Sequence, residues 1–293
     1  MSLRLLLPDP DACRADEPRR VRRGRTALDE WFGMDLMDDY IDTDCLPADH
    51  VLLPRDGRIL ERDHYVRDGR LVPGSVRHHL DQGHTLSLRN LQDVFPSFRR
   101  MCLAIQRETG YPCHANCYLT PPGARGLNWH WDPYTVVVAQ VAGVKTWPLY
   151  RPVVTAPTRE HLSFPMTTTS AALRERFEET EPDMTFVLEP GDTLWLPRGW
   201  IHHPHVTGPA PSLHITFALR ELTRYWLAHQ LVDCLLTDNR MREALSTNAL
   251  TTGGLEGVVR ETRTLLSRSL ASLDPDQLAR AVRNAMFTMP LTP

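Results

Sequence analysis

The chain has 293 residues, of which 42% are hydrophobic and 24% charged, with a formal net charge of -3. That apolar content supports a packed core, and charge so near balance excludes wholesale disorder. With 36 acidic against 33 basic residues, binding of nucleic acid driven by bulk charge is also excluded.

Residues 1–25 are rich in Pro, Asp and Arg and show no periodicity, which predicts an N-terminal arm. Its basic run (Arg19, Arg20, Arg22, Arg23 and Arg25) is expected to be solvated. Leu3 to Leu7 is too short for a signal-peptide core and runs into Pro8, Asp9, Pro10 and Asp11. No apolar stretch approaches the roughly 18 to 20 residues needed to cross a bilayer, so a cytoplasmic protein is expected. The six cysteines (Cys13, Cys45, Cys102, Cys113, Cys117 and Cys234) then read as reduced thiols. Cys113 and Cys117 lack the second pair that a structural zinc would need.

From Ala27 to about Leu60, short apolar clusters broken by acidic residues predict helical turns at the edge of a core. Asp56-Gly57, Asp68-Gly69 and Pro73-Gly74 mark turns between short strands. Phe98, Met101, Cys102 and Ile105 recur at helical spacing, and Gly110 closes that helix. The pattern then changes to strands: Val136 to Val141, Thr185 to Leu188, Thr193 to Leu196, Ile201 to Thr207 and Ser212 to Leu219. Short strands with Pro/Gly punctuation predict a sandwich or barrel of the jelly-roll kind. From Glu221 the period is helical again. One helix runs through Leu222 to Leu236 and a second through Leu255 to Leu266. A third is capped by Asp274, with Pro275 at its first position and Gln277 reaching back.

The chemistry concentrates in three pieces of the strand-rich region. In a strand, His130 and Asp132 of His130-Trp131-Asp132 share a face, so an imidazole and a carboxylate are offered to one metal ion. The run from Glu189-Pro190-Gly191-Asp192 to Gly199-Trp200-Ile201-His202 presents a histidine after its second turn. His202 would complete a two-His, one-carboxylate set, the facial arrangement of non-haem Fe(II) oxygenases. His203 and His205 compete for that place, but strand alternation points His203 the other way and puts His205 out of phase with His202. In Ser212-Leu213-His214-Ile215-Thr216, alternation turns Ser212, His214 and Thr216 toward a polar interior, where His214 is expected to be hydrogen-bonded rather than a ligand. One compositional fact stands apart: of 33 basic residues only one, at position 145, is lysine.

From about Leu80 to Arg220 the chain resembles the JmjC-type cupins, nearest the bacterial and ribosomal oxygenase branch. The resemblance rests on Asn116-Cys117-Tyr118-Leu119-Thr120-Pro121-Pro122-Gly123, His130-x-Asp132-Pro133, Gln140-Val141-Ala142-Gly143-Val144-Lys145-Thr146-Trp147 and Tyr150-x-Pro152. It continues through Pro190-Gly191-Asp192 to His202, and Ser212-Leu213-His214-Ile215-Thr216. It implies a mainly β fold with helices: a double-stranded β-helix (jelly-roll) core over 26–220, followed by a helical, dimer-forming region over 221–293. It implies Fe(II) held by His130, Asp132 and His202, the histidine three places after Gly199. It also implies 2-oxoglutarate and O2 as co-substrates. The far carboxylate of 2-oxoglutarate would meet Lys145, the sole lysine, with Asn116, His214 and Thr216 around it. An ammonium there would pair with a carboxylate otherwise costly to bury.

The activity so implied is hydroxylation of an unactivated C–H bond on an amino-acid side chain of a peptide or protein, with neither nucleic acid nor membrane as partner. Ribosomal oxygenases of this kind add a winged-helix domain after their dimerisation helices, and 221–293 is short for both. A biosynthetic peptide or amino-acid substrate is therefore equally open. The alternative class is a metal-binding cupin used for sensing or scaffolding, which would need neither Lys145 nor Asn116. Trp129, Trp131 and Trp147 are expected to pack, and Tyr134 and Arg125 to lie near the mouth.

Overall fold

The computed structural model describes residues 3–10, 16–159, 171–251, 253–289 and 291. The chain divides into two compact units, Met1–Glu221 with Pro290–Pro293, and Leu222–Met289.

The first unit is built on two antiparallel sheets. Its strands are β1 (Arg19–Arg22), β2 (Val51–Leu52), β3 (Leu86–Leu88), β4 (Cys113–Thr120), β5 (Thr135–Ala142), β6 (Lys145–Tyr150), β7 (Met184–Leu188), β8 (Asp192–Leu196), β9 (Ile201–His202), β10 (His205–Val206) and β11 (Ser212–Leu219). The larger sheet runs β1-β8-β5-β11-β4-β3-β2, and the smaller runs β7-β6-β9 with β10 also pairing β6. This is the two-sheet, jelly-roll arrangement expected of the strand-rich region.

Alternation along the central strands sets the layers. On β4, Cys113, Ala115, Cys117 and Leu119 enter one core, with Leu213, Ile215, Phe217 and Leu219 of β11 beside them. That core is closed by helices α1 (Ala27–Trp31), α2 (Met34–Asp42) and α3 (Pro96–Thr109), which contribute Leu28, Met37, Ile41, Phe98, Met101 and Ile105. The intervening positions turn inward between the sheets, where Val136, Val138, Trp147, Leu149, Leu188 and Leu194 form a second core. A strand with one apolar and one polar face thus separates packing from chemistry.

Local chemistry accounts for the turns. Asp56-Gly57 and Asp68-Gly69 have positive φ at both positions, as two-residue hairpin turns require, and join Pro54–Arg55 to Arg58–Ile59 and Val66–Arg67 to Arg70–Leu71. At the β5–β6 turn, Gly143 has φ +63°, and a Cβ there would lie 2.1 Å from the Pro211 carbonyl oxygen. Only glycine fits that approach. The segment expected to run as one strand over 201–207 is divided into β9 and β10, with Pro204, which has no N–H to give to a ladder, between them.

The arm is a correction to the sequence reading. Leu3, Leu6 and Leu7 are buried in the first core. Arg19–Arg22 form strand β1, paired along β8 from Arg19 opposite Trp195 to Arg22 opposite Asp192, while Arg19, Arg20, Arg22 and Arg25 stay exposed, as expected. Arg20 and Arg22 both bind the buried Asp192 carboxylate, at 3.1 and 3.0 Å. Arg23 is itself buried, bonded to Asp29 at 2.5 and 2.7 Å and to the Gln140 carbonyl at 3.0 Å. Sequence composition exposes charge count but not partners: Asp192 and the Gln140 carbonyl arrive from more than a hundred positions away, and Asp29 from across the corner between β1 and α1. Cys13 lies outside the described residues, and Cys45, Cys102, Cys113, Cys117 and Cys234 are free thiols.

The second unit contains α4 (Arg224–Cys234), α5 (Leu255–Ser272) and α6 (Pro275–Thr288). Asp274 caps α6 by accepting from the Asp276 amide, with Pro275 at the first position. Tyr225, Leu236, Leu250 and Val259 are each more than half exposed. No helix among the described residues is long and apolar enough to cross a membrane.

Candidate metal centre and cavity

His130 and His202 face each other through a two-residue bridge. The His130 amide donates to the His202 carbonyl at 3.1 Å, and the His202 amide returns a bond of 2.8 Å. His202 belongs to β9, held in the smaller sheet opposite Leu149. His130 is not in a longer strand: the bridge ends at that residue, and Asp132 lies in the irregular segment before β5. The expectation of a His130–Asp132 strand is corrected accordingly. Pro133, without an N–H, follows directly.

Both imidazoles are fixed in the same way. His130 Nδ1 lies 2.7 Å from the Asn128 carbonyl, and His202 Nδ1 lies 2.9 Å from the Trp200 carbonyl. A carbonyl oxygen only accepts, so each Nδ1 carries the hydrogen and each Nε2 keeps its lone pair. His202 Nε2 is 3.8 Å from Asp132 Oδ2, and one ligand atom from each of His130, Asp132 and His202 lies within 4.8 Å of the others. Burial holds the His202 imidazole well below its ordinary pKa, helped by His130 beside it. Desolvation raises the Asp132 carboxyl despite the pull of His130 and the Tyr134 phenol. Two imidazoles oriented by their Nδ1 bonds and a desolvated carboxylate converge here, a donor set that fits a divalent metal.

These ligands open into a cavity of about 170 Å³ between the sheets. Asn116, Lys145, His214 and Thr216 line the same cavity, so all seven residues singled out in the sequence are brought to one place. Register explains the convergence: Asn116 pairs across from Thr216, and Tyr118 from His214. Lys145, the first residue of β6, is 2% exposed, and its Nζ donates to Thr120 Oγ1 at 2.8 Å. Among the described residues no carboxylate meets it. Burial lowers its pKa to about 7, only slightly countered by Cys117. A buried ammonium with one hydroxyl partner fits an incoming carboxylate.

Neighbouring residues refine the sequence reading. His214 lies outside the metal cluster and stacks on Tyr118 at 5.0 Å between ring centroids and 9° between planes. Its Nδ1 has no hydrogen-bond partner among the described residues. Trp147, expected only to pack, lines the cavity, stacks on His202 at 5.8 Å and meets the His214 edge at 5.3 Å. Trp129 and Trp131 pack in a separate aromatic cluster with Tyr150, Phe177 and Ile201. His203 turns to Trp129, with rings 4.2 Å apart, and joins no metal group. Tyr134 lines the cavity, whereas Arg125 binds Asp56 at 3.0 Å and is not among the lining residues.

Tyr118, Thr120, Trp147 and Arg89 went unread as site residues. The first three carried a signal: Tyr118 and Thr120 alternate with Asn116 on β4, and Trp147 alternates with Lys145 on β6. Arg89 follows β3 and had none.

Two antiparallel sheets enclosing a cavity that holds a two-His, one-carboxylate cluster have the double-stranded β-helix form of a cupin. Residues 87–227, just under half of the chain, match the JmjC domain model. It is 35% identical over 158 residues to the "Bifunctional lysine-specific demethylase and histidyl-hydroxylase NO66" of Drosophila persimilis, covering 54% of this chain and 22% of that protein. The Dictyostelium discoideum protein of the same name is 36% identical over 149 residues, 51% of this chain and 28% of that one. The chain thus spans under a third of the length of either relative. In fold it is similar to Escherichia coli ycfD, with a TM-score of 0.50 and 16% identity over 82% of this chain and 59% of that one.

Proposed function

We propose that this chain is an Fe(II)- and 2-oxoglutarate-dependent dioxygenase that hydroxylates an unactivated C–H bond on an amino-acid side chain of a peptide or protein. The observation that carries this is one cavity lined by both the His130, Asp132, His202 cluster and the buried, carboxylate-free Lys145. A sensing or scaffolding cupin needs the first and has no use for the second.

In this reading His130, Asp132 and His202 hold the metal and Lys145 binds the far carboxylate of 2-oxoglutarate. Asn116, His214 and Thr216 complete the co-substrate wall. Iron and 2-oxoglutarate, when bound, supply an oxidant from O2, with succinate and CO2 leaving. The protein's own contribution is positional. Nδ1 bonds lock both imidazoles, Thr120 aims the ammonium, and Trp147 with the Tyr118–His214 stack keeps water from the inner wall.

The NO66 relatives are named for lysine demethylation and histidyl hydroxylation, which supports a side chain of a protein as substrate. The exposed apolar residues of α4 and α5 support a homodimer through 221–293, and the reading places the protein in the cytoplasm. A monomeric mass in solution would remove the dimer.

The deciding experiment is anaerobic addition of Fe(II) and 2-oxoglutarate, followed by the visible charge-transfer band, on wild type and Lys145→Ala. A band that requires 2-oxoglutarate and weakens in the variant is expected. A folded protein with no band would overturn the oxygenase reading.

A further inference from the structure

Two hairpins of the first unit turn on the same four residues, Arg55-Asp56-Gly57-Arg58 and Arg67-Asp68-Gly69-Arg70. Their turns have the same backbone form, with φ of +49° and +80° at Asp56 and Gly57, and +52° and +74° at Asp68 and Gly69. Their surroundings differ. A Cβ at Gly69 would meet nothing within 4 Å, whereas one at Gly57 would lie 2.6 Å from Asn128 Cβ. The Gly57 tip is docked on the segment that leads to the metal cluster. There the Asp56 amide donates to the Arg125 carbonyl at 3.1 Å, the Gly57 amide to the Gly126 carbonyl at 2.8 Å, and Arg125 Nε to Asp56 Oδ1 at 3.0 Å. A little further on, the Asn128 carbonyl holds His130 Nδ1 at 2.7 Å.

We propose that the Asp56-Gly57 tip is a positioning element for the metal centre: it fixes Asn128, whose carbonyl aims the His130 imidazole. This rests on the reading of His130, Asp132 and His202 as metal ligands. The hairpin is the firmer side of the contact, because the Leu60 amide donates to the Leu53 carbonyl at 3.1 Å and the Thr85 amide to the Pro54 carbonyl at 2.8 Å. Residues 126–129, between the bridges at Arg125 and His130, belong to no helix or strand. Carbon atoms rest about 3.5–4.0 Å apart, so a Cβ at Gly57 would drive Asn128 back by about 1 Å. The atom struck is a Cβ, which no rotamer moves, so the Asn128 backbone and its carbonyl must follow. A site tolerates roughly 0.5 Å of misplacement, and the shift is therefore felt at the imidazole.

The test compares Gly57→Ala with Gly69→Ala in the full chain. Both put a Cβ at positive φ in the same turn and share that strain. Calorimetry gives the affinity for Co(II), the visible ligand-field bands report the geometry around the metal, and metal-free melting reports the fold. Gly69→Ala is expected to bind Co(II) within about twofold of wild type, with the same spectrum. Gly57→Ala is expected to bind at least about tenfold more weakly, with an altered spectrum. Adding Asn128→Gly removes the struck Cβ and keeps the carbonyl, so the double variant should regain the affinity of Asn128→Gly alone. Unchanged affinity and spectrum in Gly57→Ala, an equal loss in Gly69→Ala, or no recovery in the double variant overturns the inference. If Gly57→Ala does not fold, the double variant decides, and its failure to fold or to match Asn128→Gly overturns it as well. His130→Ala separates the two claims. Wild-type Co(II) binding that is indifferent to His130→Ala removes the metal reading and the inference with it. Binding that needs His130 but is unaltered by Gly57→Ala removes the positioning role alone.

Discussion

His130 and His202 are backbone partners before they are candidate ligands: each amide donates to the other's carbonyl, at 3.1 and 2.8 Å. The spacing of the imidazoles is therefore set by main-chain pairing, with ring centroids 4.2 Å apart. Removing a side chain leaves that pairing in place. His202→Ala is expected to keep the fold and the metal-free melting temperature within a few degrees. Its affinity for Co(II) or Fe(II) should fall by at least about a hundredfold, since loss of even an outer partner of a ligand costs about 10- to 100-fold. Calorimetric metal titration beside thermal melts separates the two effects, and unchanged affinity would exclude His202 as a ligand.

Lys145 is costly to the empty protein. Its pKa is lowered from 10.5 to about 7 by burial, so between those values the unfolded chain binds more protons than the folded one. Stability therefore rises with pH across that window, and the charged-lysine penalty is greatest below about 7. Lys145→Met removes the penalty while filling similar space. The variant should melt higher than wild type at pH 6, by an amount that shrinks toward pH 10, and should lose the 2-oxoglutarate-dependent band. A lower melting temperature at pH 6 would contradict the unpaired state of the ammonium.

How much of this was legible follows from where each signal lives. The alternation Cys113, Ala115, Cys117, Leu119 against His114, Asn116, Tyr118, Thr120 is local and marks a strand with a packing face and a chemical face, although this strand is absent from those expected above. The residues on β11 obey the same rule, so the strand and its inward His214 and Thr216 were readable. Lys145 stood out by composition alone. The Asp192–Arg20–Arg22 pairs were not readable, because Asp192 comes from far along the chain, nor was Arg23–Asp29, which forms across a strand-to-helix corner that no periodicity marks. The His130–Asp132 strand failed for a related reason: a two-residue spacing predicts a shared face only when a ladder extends beyond one bridge. Nothing local explains Gly143, because the Pro211 carbonyl that excludes any Cβ there belongs to a segment some seventy positions later.

The same lysine makes co-substrate binding depend on pH. In the free protein Lys145 titrates at about 7. An adjacent carboxylate favours the ammonium and raises that value. Below about pH 7 the lysine is charged in both states and affinity for 2-oxoglutarate is constant with respect to this group. Above it, binding must take up a proton, so affinity falls, by up to about tenfold per pH unit, until the raised pKa is reached. Titrating 2-oxoglutarate into the Mn(II)-loaded protein between pH 6.5 and 9 in buffers of different ionisation heat measures the uptake. An affinity that climbs with pH, or the absence of proton uptake at pH 8, would refute the assignment of Lys145 as the carboxylate anchor.

Arg23 gives the most direct test of the N-terminal segment as part of the fold. Its side chain is 1% exposed and that of Asp29 is 6% exposed, and the guanidinium also holds the Gln140 carbonyl on β5. Asp29 in turn accepts from the Thr26 amide at the start of α1, so one residue ties β1, α1 and β5 together. Deleting one member of a buried ion pair leaves the other uncompensated, which costs about 3–5 kcal/mol. Arg23→Ala should therefore lower stability by that order. Replacing both members, Arg23→Met with Asp29→Leu, should recover much of the loss, because no buried charge is then left alone. Urea unfolding of the three variants decides the matter. An Arg23→Ala protein as stable as wild type would return the segment to the solvated arm that its composition suggests.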